Sequence, residues 1–256
     1  MIYATCLNEQ TNIINEDFTM SLLIENCELQ SQIIMLNEGS MVDKFVNFLN
    51  TIKNFISNFF KTIIDKFRSL INKTPSTSTT KDTTSSNKDV KPNKINSITL
   101  YSINLDVELD IFNLVEETVK CKDKFTTEKF VNIVNKHLEG FKYSSLSDIK
   151  PDLFIKKYDY YNNDEKFKDS VLKDVKDIKN DINDIIGLCN RYMTTYTKCF
   201  DYEINNVKSI NDESVINERI KWINSCKDLV VKYLTIELNA CTIIMQNLNS
   251  VLQKVK

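Results

Sequence analysis

Residues 171–196, VLKDVKDIKNDINDIIGLCNRYMTTY, decide the fold class of this chain. Apolar residues recur along this stretch at alternating steps of four and three positions, which is the spacing of a helical heptad seam. They are Val171, Val175, Ile178, Ile182, Ile185, Cys189, Tyr192 and Tyr196. A second apolar stripe follows after Asn211 and Asp212, which can cap the start of a final helix. Two long stripes joined by a short polar turn predict an antiparallel helical hairpin.

The composition agrees with a mainly α-helical protein. Only 3 glycines and 3 prolines occur among 256 residues, whereas sandwiches, barrels and doubly wound sheets use these residues at many turns. Hydrophobic residues make up 42% of the chain, which is enough to build a core. We therefore expect a long antiparallel helical hairpin or bundle with one possible short strand, together with a separate amphipathic helix in the N-terminal part.

Shorter elements are predicted between the N-terminal part and the hairpin. Alternating apolar residues favour a short strand near 98–104, followed by a helix that begins near Asp106. Thr126 or Thr127 is a suitable cap for another helix, which Gly140 would end. The stretch around Pro151 and the tyrosine-rich sequence at 158–164 is predicted to be a loop.

Four regions differ in composition. Residues 1–40 contain six acidic side chains and no Lys or Arg, and they are interpreted as an acidic leader. Residues 41–73 form a basic amphipathic helix. Residues 74–97 are rich in Ser, Thr and Lys and hold almost nothing apolar, which predicts a flexible linker. Residues 98–256 form a C-terminal helical domain.

The helix at 41–73 carries a wide aromatic stripe whose role the pattern leaves open. The stripe can pack as core or in self-association, lie on a membrane, or dock on a partner. The polar linker directly behind it favours docking on something other than its own domain. The residues expected to dock are Phe45, Phe55, Phe59, Phe60 and Phe67.

Nothing in the sequence indicates catalysis. His137 is the single histidine, and its place at the end of a helix favours a structural role. Phosphate-binding loops need glycines that this chain lacks, and the seven cysteines form no CxxC pair, so they are expected to be buried thiols. We therefore expect a protein that is not an enzyme, with no catalytic residues, cofactor, metal or small-molecule substrate.

The junction Leu36-Asn37-Glu38-Gly39 supports a resemblance to a known family. A leader that ends in Leu-x-Glu before a small residue resembles the processing signal of prohead proteins in large tailed bacteriophages. The helix at 44–73 is similar to virion structural proteins of phages with A/T-rich genomes. The resemblance implies cleavage behind Glu38 by a maturation protease, with Leu36, Glu38 and Gly39 as the processing site.

The same resemblance implies an internal head or capsid-associated protein, located in a virion that is assembled in the host cytoplasm. Its partners would be other virion proteins or further copies of itself. Removing the leader would change the net charge from −2 to +4, which is compatible with weak proximity to DNA. Two alternatives stay open: a membrane-active protein that uses 41–73, and a cytoplasmic adaptor for host takeover.

Overall fold

The computed structural model describes residues 40–73, 97–120, 126–140, 150–161, 167–207, 210 and 212–255. Its α-helices are α1 (Met41–Lys73), α2 (Leu105–Lys120), α3 (Thr127–Gly140), α4 (Phe167–Asn206) and α5 (Glu213–Val255). A 3-10 helix at Pro151–Phe154 leads into β2 (Ile155–Tyr161), which pairs antiparallel with β1 (Ser97–Ile103). The mainly α-helical prediction is confirmed, with the two longest helices where the stripes placed them.

Helix α1 packs along both members of the α4–α5 hairpin. Lys53 pairs with Asp201, and the ring of Phe60 lies 6.4 Å from that of Tyr192, so α1 runs antiparallel to α4. The salt bridge between Glu203 and Arg219 joins α4 to α5 near their connection. Both long helices contact α1 more extensively than they contact each other. The aromatic face of α1 therefore fills the groove in which the two stripes were expected to meet directly.

Helix α5 is the central element of the fold. It packs against α1, α2, β1 and the 3-10 helix, and it carries the largest set of buried residues of any helix described. A helix that is covered on several sides has no need of a single apolar stripe. This explains why its buried positions, such as Leu229, Val230, Tyr233 and Leu234, include neighbours that point in different directions.

The two-stranded sheet covers the C-terminal half of α5. The strand predicted near 98–104 is confirmed, and Ile98, Leu100 and Ser102 of β1 are buried. The alternation that predicted it ran instead through the odd positions, such as Tyr101 and Ile103, so the sequence placed the strand but not its buried face. The side-chain amide of Asn247 bonds the other edge of β1, accepting from Tyr101 N–H at 2.9 Å and donating to Thr99 C=O at 3.0 Å. Asn247 therefore attaches the sheet to α5 through backbone groups that a third strand would otherwise pair.

The prediction of a loop around Pro151 and the following tyrosines is wrong, because Ile155–Tyr161 forms strand β2. Most of this strand lies at the surface, so its sequence lacks the alternation of a half-buried strand. Pairing with β1 holds it instead, in a register that sets Ile98 opposite Tyr160 and Ser102 opposite Lys156. The long-range ladder, rather than local pattern, decides this element.

Side-chain caps begin two of the helices at the positions expected. Thr126 Oγ1 accepts the amide of Lys129 at 3.1 Å at the start of α3. Asp212 Oδ1 accepts the amide of Ser214 at 2.8 Å at the start of α5, and this hydrogen bond lowers the pKa of the Asp212 carboxyl. Each cap satisfies an amide that the first helical turn leaves without an internal partner.

Candidate functional site

The aromatic face of α1 is part of the chain's own core. None of the expected docking residues exceeds 9% exposure, and they belong to the same apolar cluster as the stripes of α4 and α5. The expectation that this face docks on a partner is corrected here, because α4 and α5 cover it. The residues concerned are Phe45, Phe55, Phe59, Phe60 and Phe67.

Ring contacts explain why the hairpin covers this face. Phe60 lies 6.4 Å from Tyr192 and 6.5 Å from Tyr196, centroid to centroid, and both tyrosines belong to the α4 seam. Phe55 stacks against Phe59 at 6.2 Å on α1 itself. Fully burying a phenylalanine stabilises a fold by about 1.5–3 kcal/mol, so an aromatic stripe of this width strongly favours intrachain packing.

The processing residues Leu36, Glu38 and Gly39 lie outside the described residues. The structure does describe the residue that follows them. Ser40 Oγ accepts the amide of Asp43 at 3.2 Å and donates to its carboxylate at 2.6 Å, which is the geometry of a helix N-cap. Helix α1 therefore begins directly behind the Glu38–Gly39 bond.

Two charged side chains are buried where α1, α4 and α5 meet. Glu203 is fully buried, and the guanidinium of Arg219 donates to one of its oxygens across the hairpin. The ammonium of Lys227 lies 3.1 Å from Asp228 Oδ1 and 5.9 Å from the ring centroid of Phe55. A buried charge must be paired or hydrogen-bonded, and these contacts neutralise both groups.

Further buried polar groups of the interior are also engaged in structural contacts. The indole N–H of Trp222 donates to the Thr118 carbonyl of α2 at 2.8 Å. Burial raises the pKa of the Tyr196 hydroxyl well above its ordinary value, and that hydroxyl lies 3.5 Å from the Cys226 carbonyl. The expectation of buried thiols is confirmed for the four described cysteines, Cys189, Cys199, Cys226 and Cys241.

His137 lies in the last turn of α3, where the sequence placed it. Its Nε2 is 3.6 Å from Glu117 Oε2 of α2, a distance longer than a hydrogen bond. The side chain is largely buried between these two helices. Its surroundings in the described structure are those of a contact between α2 and α3, which fits the structural role expected of it.

The outer face of the sheet is the surface that sequence reasoning missed. Tyr161 is 63% exposed on this face, far more than any aromatic residue of α1. Tyr158 is 47% exposed at the open edge of β2, but it is paired opposite the buried Leu100 and so lies on the other face of the sheet. Lys157 lies over the Tyr101 ring at 5.2 Å, and Asp159 accepts a 2.6 Å hydrogen bond from the Thr99 hydroxyl. This row of aromatic and charged side chains, together with the outer edge of β2, is the candidate interaction site. The cluster YDYY was the available signal, although it was interpreted as a loop.

The described residues contain no group of three or more His, Cys, Asp or Glu side chains placed to hold a metal ion. None of the helices in the described ranges is long and apolar enough to span a bilayer. Comparison with protein-family models, with curated proteins and with solved structures gave no match.

Proposed function

We propose that this chain is a non-enzymatic structural protein of a bacteriophage particle, whose acidic leader is removed behind Glu38. In this proposal residues from Gly39 onwards form the body that stays in the particle. Its helical bundle acts as a building block of the head or of a capsid-associated assembly. It acts without cofactor, metal or small-molecule substrate.

The N-cap of α1 is the observation that carries the proposal. Ser40 makes both of its capping hydrogen bonds with Asp43, so the cap needs no group from residues 1–38, which the cut would remove. The described core begins with α1, at Phe45. A cut between Glu38 and Gly39 would therefore leave the cap and this core intact. A processing site directly before the first described helix is compatible with a removable leader.

Charge adds a second line of support. The leader carries six acids and no base, so its removal changes the net charge from −2 to +4. Phosphate groups repel an acidic segment and attract a basic surface, although four charges are few for tight binding. The proposal therefore places the body near packaged DNA without making DNA its main partner.

The surface that contacts neighbouring proteins in the particle is not the one that the sequence suggested. The aromatic face of α1 is covered by α4 and α5, so it is not offered to another virion protein or to a lipid surface while the core is intact. We place the contact with neighbouring proteins at the exposed strand β2 instead. A membrane-active role through α1 would first require the three long helices to separate, so we do not carry that alternative further.

Mass spectrometry of purified particles tests the proposal. We expect the chain to be present with Gly39 as its first residue, and a Glu38→Gln variant to keep the leader. Glu9→Gln is the matched control, because Leu7-Asn8-Glu9 repeats the same three residues and its loss should leave cleavage unchanged. Absence from particles, or a leader that stays intact in the unaltered protein, would contradict the proposal.

A further inference from the structure

The outer edge of β2 presents backbone groups that the sheet itself does not use. Thr99 and Tyr101 bond Asn247, so their backbone groups point away from β2, and Ile98, Leu100 and Ser102 point towards it. The bond from Asn104 N–H to Phe154 C=O, at 2.8 Å, continues the same alternation. By that alternation the amides and carbonyls of Lys157, Asp159 and Tyr161 face away from β1. No backbone partner for them occurs among the described residues.

The charged side chains on the edge of β2 in one copy of the chain can pair with those on the same edge of a second copy. An antiparallel pairing of β2 with another β2 that joins these outward groups permits a few registers. Centring it on Asp159 sets two carboxylates opposite each other, and centring it on Lys157 sets two ammonium groups opposite each other. Like charges in directly opposed positions are destabilising, and opposite charges are stabilising. Centring it on Tyr158 sets Lys157 opposite Asp159 twice, once on each side of the symmetry axis.

We propose that β2 pairs with β2 of a second copy of this chain, antiparallel about Tyr158, to form a four-stranded sheet. Each Lys157 then lies between Tyr101 of its own chain and Asp159 of the other. The same face continues to Thr99 of the other chain, whose hydroxyl already holds Asp159 in place. The two Tyr158 side chains, each half exposed in a single copy, become direct neighbours.

A symmetric pairing of this kind has closed two-fold symmetry, so it yields a dimer and not an open fibre. It also covers an edge that would otherwise be open to unspecific strand pairing. This proposal extends the proposed function, because it names a second copy of the chain as the partner of β2. Dimerisation through β2 requires neither leader removal nor a phage particle, and either idea can fail without the other.

Charge exchange in the full chain tests the pairing, with sedimentation equilibrium as the measurement. We expect unaltered protein to form dimers in a concentration-dependent way. Lys157→Asp and Asp159→Lys each turn two opposite-charge pairs into like-charge pairs, so dissociation constants should rise about tenfold or more. The double variant K157D/D159K restores opposite charges and should restore the dimer. Lys61→Asp, at an exposed position of α1 outside the sheet, is the matched control, because it makes the same change of charge as Lys157→Asp and should leave the dimer unchanged.

Amide exchange, followed residue by residue by NMR, supplies a second readout that does not depend on a variant. Amides of Lys157 and Asp159 should gain protection as protein concentration rises. Those of Lys156 and Tyr158, which face β1, should be protected at every concentration. A protein that stays monomeric, a double variant that stays dissociated, or concentration-independent protection of Lys157 and Asp159 would each overturn the proposal. The last result would show that another segment of the same chain covers the edge.

Discussion

Helix α1 and strand β2 show opposite relations between sequence pattern and exposure. Helix α1 has a strongly apolar, aromatic face, and the chain's own α4 and α5 cover that face completely. Strand β2 has no clear pattern, yet it presents Tyr158, Tyr161 and two opposite charges to solvent. An apolar stripe indicates that a face is buried but not by what. The partner proposed for β2 is argued instead from backbone geometry and exposed charges.

The largest effect should come from the middle of α1. Phe60→Ala removes a fully buried ring that contacts Tyr192 and Tyr196, and it should lower the free energy of unfolding by about 3–5 kcal/mol. Urea denaturation followed by circular dichroism measures the loss. Tyr161→Ala, which truncates the more exposed tyrosine of β2, is the control and should change stability by about 0.5 kcal/mol or less. If both variants lost the same free energy of unfolding, the difference between a buried α1 and an exposed β2 would be contradicted.

A somewhat smaller effect is expected from the buried ion pair. Arg219→Met leaves the Glu203 carboxylate buried without its guanidinium, which should cost about 3 kcal/mol. Arg68→Met is the control, because Arg68 pairs with Asp65 at the surface of α1 and should contribute about 1 kcal/mol or less. Denaturant titration of both variants checks this. If Arg219→Met unfolds at the same urea concentration as the unaltered protein, the pair has no role in joining α4 to α5.

Attachment of the sheet to α5 can be tested at Asn247. Asn247→Leu leaves Thr99 C=O and Tyr101 N–H without their side-chain partner, and this should lower stability by about 1–3 kcal/mol. The amide of Tyr101 should then exchange faster than that of Leu100, which bonds β2. Unchanged exchange at Tyr101 would mean that Asn247 does not hold this edge.

The smallest effect concerns the solvent side of α4. Burial, together with Asp184 and Asp177, raises the pKa of the Asp181 carboxyl. A folded-state pKa above the unfolded value means that ionisation destabilises the fold, and this penalty grows as pH rises through the two pKa values. Asp181→Asn should therefore stabilise the protein by about 0.5 kcal/mol at pH 7. Thermal melting near pH 3 should show no difference, and a gain that persists there would have another cause.

The sequence was sufficient for the helices because their patterns are local. The seam from Val171 to Tyr196 is buried at every predicted position. The strand at Ser97–Ile103 and the caps at Thr126 and Asp212 also agree with prediction. Polar residues 74–96 lie outside the described residues, so their role as a flexible linker stays a prediction, although α1 ends and β1 begins at the limits of that segment.

The candidate site was beyond sequence reasoning for two reasons. A stripe such as that of α1 has the same spacing whether it packs within a chain or between chains, so Phe55 and Phe60 could not be assigned to core or docking face. Strand β2 exists because β1 pairs with it across about 60 positions, and no local pattern near Tyr158 records that pairing. Both errors concern contacts between residues distant in sequence.

Native-state amide exchange of α1, compared with α4 and α5, tests the central claim most directly. If α1 belongs to the core, amides from Ile52 to Ile63 should exchange only through global unfolding, with the same free energy as those from Ile178 to Tyr192. Exchange from α1 at a much lower free energy, while α4 and α5 stay protected, would contradict the account. It would return the aromatic face of α1 to the surfaces available for a partner.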